Sequence, residues 1–212
     1  MTGTVTAQST RLTRATLLSL VCVAAFPVLL TILHVLEPEL DPSRELISTY
    51  EIGHHGWVMR LAFFSFAAGV LALSVAMSPN VRTPGGRVGV LLLRVVAAGL
   101  VVAGTFALGV RHAVGFVLVV PVFPVAAVLL AISLRRTCRL FAMTILVWAG
   151  FFSFFFAGPA LFSALTDRQW DTVIGYPNRF MMCGYALWCL VAAWQARTAV
   201  RRSPAERSTT VA

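Results

Sequence analysis

Acidic side chains are concentrated in one short segment of this chain. Five of its eight acidic residues lie between Glu37 and Trp57, in the sequence EPELDPSRELISTYEIGHHGW. A carboxyl group that borders an apolar region can donate or accept a proton during catalysis. The candidate proton donors or bases are Glu37, Asp41 and Glu51 from this segment and Asp167 and Asp171 from late in the chain.

Asp41 also has a simpler structural interpretation. An aspartate directly before Pro42 is typical of a helix N-cap followed by proline at the first helical position. The pattern predicts a short surface helix that runs to Glu45. Glu37 and Glu51 lie within a few residues of an apolar stretch, so either could enter the outer mouth of a helix bundle.

Four histidines, His34, His54, His55 and His112, lie near the ends of apolar stretches. Neutral imidazole is a ligand for metals and for haem iron. Zinc would require tight spacing such as H-x-x-x-H or partner cysteines, and the sequence offers neither. A haem held by His34 and His112 has no other support in the sequence. We therefore predict no cofactor and no metal, and we expect His112 to assist the catalytic carboxylates.

Arg60, Arg111 and Arg179 lie near the same ends of the apolar stretches as the carboxylates. They could pair with these carboxylates and hold a helix bundle together. They could instead bind the phosphate or carboxylate of a lipid, since guanidinium recognises such groups with two parallel hydrogen bonds. On the second interpretation all three bind substrate, and Arg179 orients it.

Aromatic residues crowd the stretch WAGFFSFFFAGPALF, Trp148 to Phe162. An aromatic pocket capped by carboxylates suits acid-initiated cyclisation of a polyprenyl chain, because an acid starts the reaction and ring faces stabilise the developing cation. Trp148, Phe152 and Phe155 are the candidate lining residues. The alternative is that these rings pack or face lipid, since five phenylalanines in six consecutive residues surround a helix.

The composition indicates the environment in which such a site must be built. The chain of 212 residues is 58% hydrophobic and 12% charged, with a mean hydropathy of +0.85. These values are outside the range of soluble domains and typical of membrane proteins. All 17 basic residues are arginines, which excludes catalysis through a lysine Schiff base.

Six apolar stretches recur along the chain, each about 20 residues long, and a helix of that length crosses the roughly 30 Å hydrocarbon layer. They are Ala15–Leu36, Trp57–Ser78, Val88–Val110, Ala113–Leu134, Leu140–Phe162 and Val173–Ala196. We therefore predict an all-α, polytopic bundle of six transmembrane helices over residues 15–196. Polar cytoplasmic tails are predicted at residues 1–14 and 197–212.

The arginines also predict the orientation of the bundle. The two tails and the loops at 79–87 and 135–139, with Arg94 snorkelling back from the third helix, hold twelve arginines against Glu206. The other side holds seven acidic residues against five arginines. Because positive residues are retained in the cytoplasm, both termini are predicted to lie there. The protein itself is predicted to lie in the inner (plasma) membrane. Arginines scattered over loops at an anionic membrane surface do not indicate a nucleic-acid partner.

The segment LHVLEPELDPSRELISTYEIGHHGWVMRLAFFSFAAG resembles the opening of domain-of-unknown-function family 998, a family of six-helix prokaryotic membrane proteins. The matching residues are Asp41, Pro42, Ile47, Ser48, Tyr50, Gly53, Gly56 and Trp57. GYPNRFMMCGYALWCLVAAW is similar to the family's Gly-x-x-x-Arg start of its last helix, through Gly175 and Arg179. The chain departs from the family where His112 follows Arg111 without the usual longer polar connection. The resemblance covers residues 15–196 and implies an architecture but no activity.

These features favour an enzyme that acts on a membrane lipid or isoprenoid by acid–base chemistry in an outward-facing pocket. Terpene-cyclase-like cyclisation is the most specific form of this hypothesis. The alternative is a small transporter or a non-catalytic accessory subunit. A transporter favours charged groups at mid-membrane beside broken helices, whereas here the charges lie near one surface.

Overall fold

Helices form nearly all of the structure. The computed structural model describes residues 2–135, 138–157 and 173–209, which contain helices and loops but no strand. The helices are α1 (Thr2–Leu36), α2 (Gly56–Met77), α3 (Pro84–Thr105), α4 (Val110–Val119), α5 (Val122–Ser133), α6 (Phe141–Phe152) and α7 (Gly175–Thr209). Short 3-10 helices cover Ile47–Ile52 and Ser78–Asn80, and a π turn at Ser153–Ala157 extends α6.

Within the described residues, four helical segments are long and apolar enough to cross a membrane. They are Thr10–Leu36, Gly56–Asn80, Pro84–Thr105 and Val110–Ser133, the last of which combines α4 and α5. Phe141–Phe156 is a shorter apolar helix. The all-α, multi-pass character is therefore confirmed, whereas the count of six spans stays a prediction. The domain boundaries also stay predictions, and the helices α1 and α7 continue through most of both predicted tails.

The fourth membrane segment is interrupted where two prolines lie close together. Pro124 has no amide hydrogen to donate to the carbonyl of Val120, one turn earlier. The hydroxyl of Tyr185 in α7 donates to that carbonyl instead, at 2.8 Å. The ring of Phe123 stacks on Tyr185 with centroids 4.3 Å apart. The break is thus satisfied and packed, as non-helical backbone at membrane depth must be.

The helices pack so that the two ends of the bundle carry different loops. Helix α1 contacts α2 and α7, α3 contacts α2, α4 and α5, and α6 contacts α5 and α7. The acidic loop, residues 37–55, meets the start of α7, where the Gly175 amide donates to the Ser43 carbonyl at 2.8 Å. At the opposite end, Thr83 and Ser133 hydroxyls lie 2.8 Å apart, beside the arginine-rich loops. We call residues 37–55 the capping loop.

Candidate functional site

Arg179 joins the capping loop to the first turn of α7. Its Nη1 donates to the carbonyls of Glu45 at 2.6 Å and Gly175 at 3.1 Å, and its Nη2 donates to the Tyr50 hydroxyl at 3.2 Å. Its Nε donates to Nε2 of His34 at 3.0 Å, which ties the end of α1 to the same cluster. All three guanidinium nitrogens are therefore engaged within the protein. This arrangement supports the bundle-holding role that the sequence left open for Arg179.

We call Arg179 and the groups that accept its hydrogen bonds the Arg179 clamp. The glycines of the two family motifs permit close backbone contact around it. A Cβ atom on Gly175 would lie 2.2 Å from the Pro42 carbonyl oxygen, and one on Gly56 would lie 2.1 Å from that of Glu51. Any larger residue would force the backbones apart. The motif near the start of the chain and the motif near its end are thus two halves of one packed cap.

Glu37 fastens the capping loop to the start of α2. Its side chain is fully covered, accepts a hydrogen bond from the His55 amide, and lies 3.1 Å from Nδ1 of His55. The His55 backbone N–H holds the pKa of Glu37 below its ordinary value. The carboxylate therefore stays ionised at neutral pH, and its contribution to stability is lost only as the pH falls through that lowered pKa. These properties suit a structural anion better than a proton donor.

Asp41 stabilises a single turn of the capping loop. It is exposed and accepts hydrogen bonds from the Ser43 amide at 2.9 Å and hydroxyl at 2.7 Å. The Ser43 amide bond lowers the pKa of Asp41. The Arg44 and Glu45 amides both donate to the Asp41 carbonyl, at 3.1 and 3.0 Å. In place of the predicted helix through Glu45, the structure has a single turn, which Asp41 shapes.

Glu51 and His112 form a buried pair where the capping loop meets α4. Glu51 is 4% exposed and His112 is 8% exposed. Oε2 of Glu51 lies 3.2 Å from Nδ1 of His112, which also lies 3.1 Å from the Phe106 carbonyl and 3.2 Å from the Ala103 carbonyl. A nitrogen surrounded by three oxygen acceptors must carry a hydrogen. Nε2 is therefore the nitrogen of His112 that can gain or lose a proton.

The Glu51 carboxylate is poorly compensated for its burial. Its distance to His112 is short enough for an ion pair, yet neither oxygen has a partner with hydrogen-bond geometry among the described residues. The Nδ1 hydrogen has the Phe106 and Ala103 carbonyls as its hydrogen-bond acceptors, so the carboxylate faces it only at ion-pair distance. An ionised carboxylate in this position is costly, because burial removes water that the protein does not fully replace.

His112 lines a small pocket of about 50 Å³ between α2, α3, α4 and α7. The other residues of its wall are mainly apolar and include Phe63, Leu100, Phe116, Val119 and Met182. Ser48 and Asn178 supply the polar part of the wall. One water occupies roughly 10–15 Å³ on a comparable measure, so the pocket holds a few waters or the end of a larger molecule.

The remaining predicted site residues lie away from this pocket or outside the described residues. Arg60 and Arg111 are exposed, and the Arg111 guanidinium lies 5.3 Å from the centre of the Phe106 ring. Asp167 and Asp171 lie outside the described residues. The site residues predicted from the sequence are thus brought together only in part, through Glu51 and His112 at the pocket and Arg179 in the neighbouring clamp.

The aromatic stretch forms its own cluster along α6 and the π turn. The rings of Trp148 and Phe152 lie 5.4 Å apart, and those of Phe151 and Phe155 lie 4.9 Å apart. Phe152 is 48% exposed and Phe155 is 37% exposed. None of Trp148, Phe152 and Phe155 lines the pocket, although Phe155 contacts Phe116, which does. The cluster favours the packing alternative for these rings.

Sequence reasoning missed Asn178 and the partners of the two buried glutamates. The Asn178 side chain accepts a hydrogen bond from the Ile47 amide at 3.0 Å and also lines the pocket. Its position inside the Gly-x-x-x-Arg motif was the available signal. One of the alternatives paired Glu51 with an arginine, whereas in the structure it faces His112. Within the described chain, no three His, Cys, Asp or Glu side chains are placed to hold a metal ion.

Long apolar helices, a proline break satisfied from a neighbouring helix and buried polar residues together define a polytopic integral membrane protein. The particular family follows from sequence comparison. The model of the family described as "Protein of unknown function (DUF998)" matches residues 20–195, so the chain belongs to this family. The resemblance carried by the two motifs is thereby confirmed. No curated protein and no solved structure matches the chain.

Proposed function

We propose that this protein is an enzyme of the inner (plasma) membrane that acts on a lipid or isoprenoid through acid–base chemistry at the Glu51–His112 pair. The observation that carries the proposal is the buried Glu51 carboxylate, which has only His112 at ion-pair distance among the described residues. A structure that needed only packing would gain by replacing it with an apolar side chain. Proton transfer gives a functional reason to retain it.

His112 is the member of the pair that reaches the pocket. With Nδ1 held by oxygens, Nε2 accepts a proton from the substrate, and the ring becomes positively charged. The negative charge of Glu51, 3.2 Å away, stabilises that imidazolium. The same proton then returns to the substrate at another atom or to the leaving group. Glu51 thus orients and stabilises the base.

The pocket size favours a substrate that is only partly enclosed. Its volume of about 50 Å³ is well below the roughly 300–1,000 Å³ of sites that surround a small molecule. The reacting end of an amphiphile fits this space while its chain remains in the bilayer. The apolar walls suit such a ligand, and Ser48 and Asn178 provide its polar contacts.

Terpene-cyclase-like cyclisation is the most specific form of the proposal and has the least support. It requires space for a folded polyprenyl chain and aromatic rings around the developing cation. Trp148, Phe152 and Phe155 are not among the pocket residues. This form depends on the predicted acids Asp167 and Asp171, which lie outside the described residues.

The proposal is tested by following lipid turnover. Full-length wild-type protein and its Glu51→Gln and His112→Gln variants are placed in nanodiscs made from a total lipid extract of the native membrane, with added prenyl alcohols and prenyl diphosphates. Mass spectrometry then follows every lipid species over time. We expect wild-type protein to convert at least one species and both variants to be about a hundredfold slower or worse.

Glu39→Gln is the matched control, because Glu39 is an exposed carboxylate on the same loop. It should turn over at the wild-type rate. Melting temperatures of all variants establish that they are folded. Wild-type turnover by Glu51→Gln would remove the pair from the chemistry, and no conversion by folded wild-type protein would favour the non-enzymatic alternatives.

A small transporter is the second candidate, because the α4–α5 break at Val120 borders the same pocket. Discontinuous helices beside a binding site are common in transporters. Proteoliposomes that contain a pH-sensitive dye separate the two functions. Dye response on addition of an amphiphile, without a chemical product, favours proton-linked transport. If the dye does not respond and no product forms, the result favours an accessory subunit.

A further inference from the structure

A second cluster of charged residues lies at the end of the bundle opposite the capping loop. Arg94 is ten residues into the 22-residue helix α3 and is exposed. No carboxylate lies within ion-pair distance of it among the side chains that the structure describes. An arginine within a membrane helix is costly and points to a functional contact. The question is which group compensates its charge.

Arg94 shares a groove with a second arginine from another helix. The groove has a volume of about 250 Å³, and its lining includes Gln8, Arg11, Leu12, Val75, Ser78 and Arg94. Helical side chains point toward the N-terminus of their helix, so Arg94 reaches back toward the α2–α3 connection at Ser78. Two positive charges converge here from α1 and α3. They repel each other unless an anion lies between them.

The depth and chemistry of the groove identify the kind of anion. Arg11 is the second residue of the segment Thr10–Leu36, and Ser78 lies near the end of the segment Gly56–Asn80. The groove therefore lies at the level where the hydrocarbon meets the head groups. Two guanidinium groups suit the oxygens of a phosphate. Leu12 and Val75 offer an apolar wall to the glycerol and the first carbons of an acyl chain.

We infer that the Arg11–Arg94 groove binds the phosphate of an anionic phospholipid. The site is separate from the Glu51–His112 pocket and does not depend on the function proposed for it. In the predicted orientation the groove faces the cytoplasmic leaflet, where anionic lipids create a negative surface potential. The bound lipid would neutralise the two arginines and join α1 to α3.

The inference is tested with the full-length protein in detergent. Native mass spectrometry and melting curves compare phosphatidylglycerol, phosphatidylcholine and inorganic phosphate as ligands of the wild-type protein and of Arg94→Gln, Arg94→Lys and Arg11→Gln. We expect wild-type protein to prefer phosphatidylglycerol and both Gln variants to bind it about tenfold more weakly, as loss of one charge-assisted contact implies. Arg94→Lys should be intermediate, because lysine keeps the charge but loses the paired hydrogen bonds.

Arg82→Gln is the matched control, because Arg82 is exposed at the same end of the bundle but does not line the groove. It should bind phosphatidylglycerol as the wild-type protein does. Melting curves without lipid show whether each variant is folded. If Arg94→Gln does not fold, Arg11→Gln takes its place in the test. Equal loss in Arg82→Gln and Arg94→Gln, or equal binding of phosphatidylcholine, would overturn the inference. If inorganic phosphate raises the melting temperature as much as phosphatidylglycerol does, the lipid assignment is wrong and the groove binds a soluble phosphate.

Discussion

At the scale of single residues, the polar groups of the capping loop divide into those whose hydrogen bonds hold the loop in place and Glu51, whose side chain makes none among the described residues. Glu37, Asp41 and Arg179 each have donors or acceptors within the loop and its neighbours. Tyr50 is also buried, and its burial raises the pKa of its hydroxyl, so it stays a neutral partner of Arg179. Glu51 differs because neither of its oxygens has a hydrogen-bond partner among the described residues and His112 faces it at ion-pair distance, which is why the proposed chemistry is assigned to this pair.

Replacing Arg179 by lysine should destabilise the protein although the charge is kept. One ammonium group cannot reach His34, Glu45 and Tyr50 together, so at least one contact is lost. We expect the free energy of unfolding to fall by about 2–4 kcal/mol, measured by chemical or thermal unfolding in detergent. Arg60→Lys is the control, because Arg60 is an exposed residue of α2, and it should change the free energy of unfolding by less than about 0.5 kcal/mol. If both substitutions lowered the free energy of unfolding equally, the structural role given to Arg179 would be wrong.

The sequence could identify the residue types of the site but not their pairing. Glu51 and His112 were both predicted because each lies near an end of an apolar stretch. Their contact depends on how the capping loop folds over α4, which no local spacing encodes. Arg179 was predicted either to bind substrate or to hold the bundle together, because a sequence does not reveal that a carbonyl and a hydroxyl of a distant loop already accept hydrogen bonds from it.

At the scale of helices, close packing of α3 on α4 positions His112. A Cβ atom on Gly115, three residues after His112, would lie 2.7 Å from the Gly99 carbonyl oxygen and 2.8 Å from the Ala103 amide nitrogen. Both contacts are with backbone, which cannot rotate away as a side chain does. Ala103 also supplies a carbonyl to the His112 ring. The distance between the two helices therefore sets the position of the imidazole.

Gly115→Ala should push α4 away from α3. We expect a loss of about 1–3 kcal/mol in unfolding free energy and a parallel loss of any lipid turnover. Gly184→Ala in α7 is the matched control, since a Cβ atom there meets nothing within 4 Å. That change should leave the melting temperature unchanged or raise it, because alanine favours a helix. A stable, active Gly115→Ala protein would contradict the role given to this contact.

The helices were more predictable than the site, because membrane spans follow from hydropathy alone. The first three apolar stretches correspond to α1, α2 and α3, and the fourth corresponds to α4 and α5 together. The last predicted span is less apparent by composition, because α7 carries Asn178 and Arg179 in its first turns for contacts with the capping loop.

At the scale of the whole molecule, the acidic and arginine-rich loops lie at opposite ends of the bundle. The capping loop lies beside the start of α7, and the Thr83–Ser133 contact lies at the other end. This separation agrees with the charge asymmetry in the sequence and with the predicted orientation. It also places the proposed catalytic pocket toward the capping-loop end of the bundle and the proposed lipid groove toward the other end.

Cysteine labelling of intact cells tests the orientation. A membrane-impermeant maleimide should modify His54→Cys from outside and Arg82→Cys only after permeabilisation, because these exposed positions lie at opposite ends. The unaltered chain, with its four native cysteines, measures the background. The reverse pattern would place both termini outside, and labelling of both positions in intact cells would contradict a bundle that crosses the membrane between them.

The dependence of the cap on α7 has a consequence for biogenesis. The ribosome synthesises the capping loop long before Gly175, Asn178 and Arg179. During translation the loop therefore lacks the hydrogen bonds that these residues make to it. The pocket beside the proposed catalytic pair is completed only when the last helix packs against the others, because Asn178 and Met182 line it. Translation that stops before residue 175 therefore leaves the capping loop without the contacts that fasten it to the last helix.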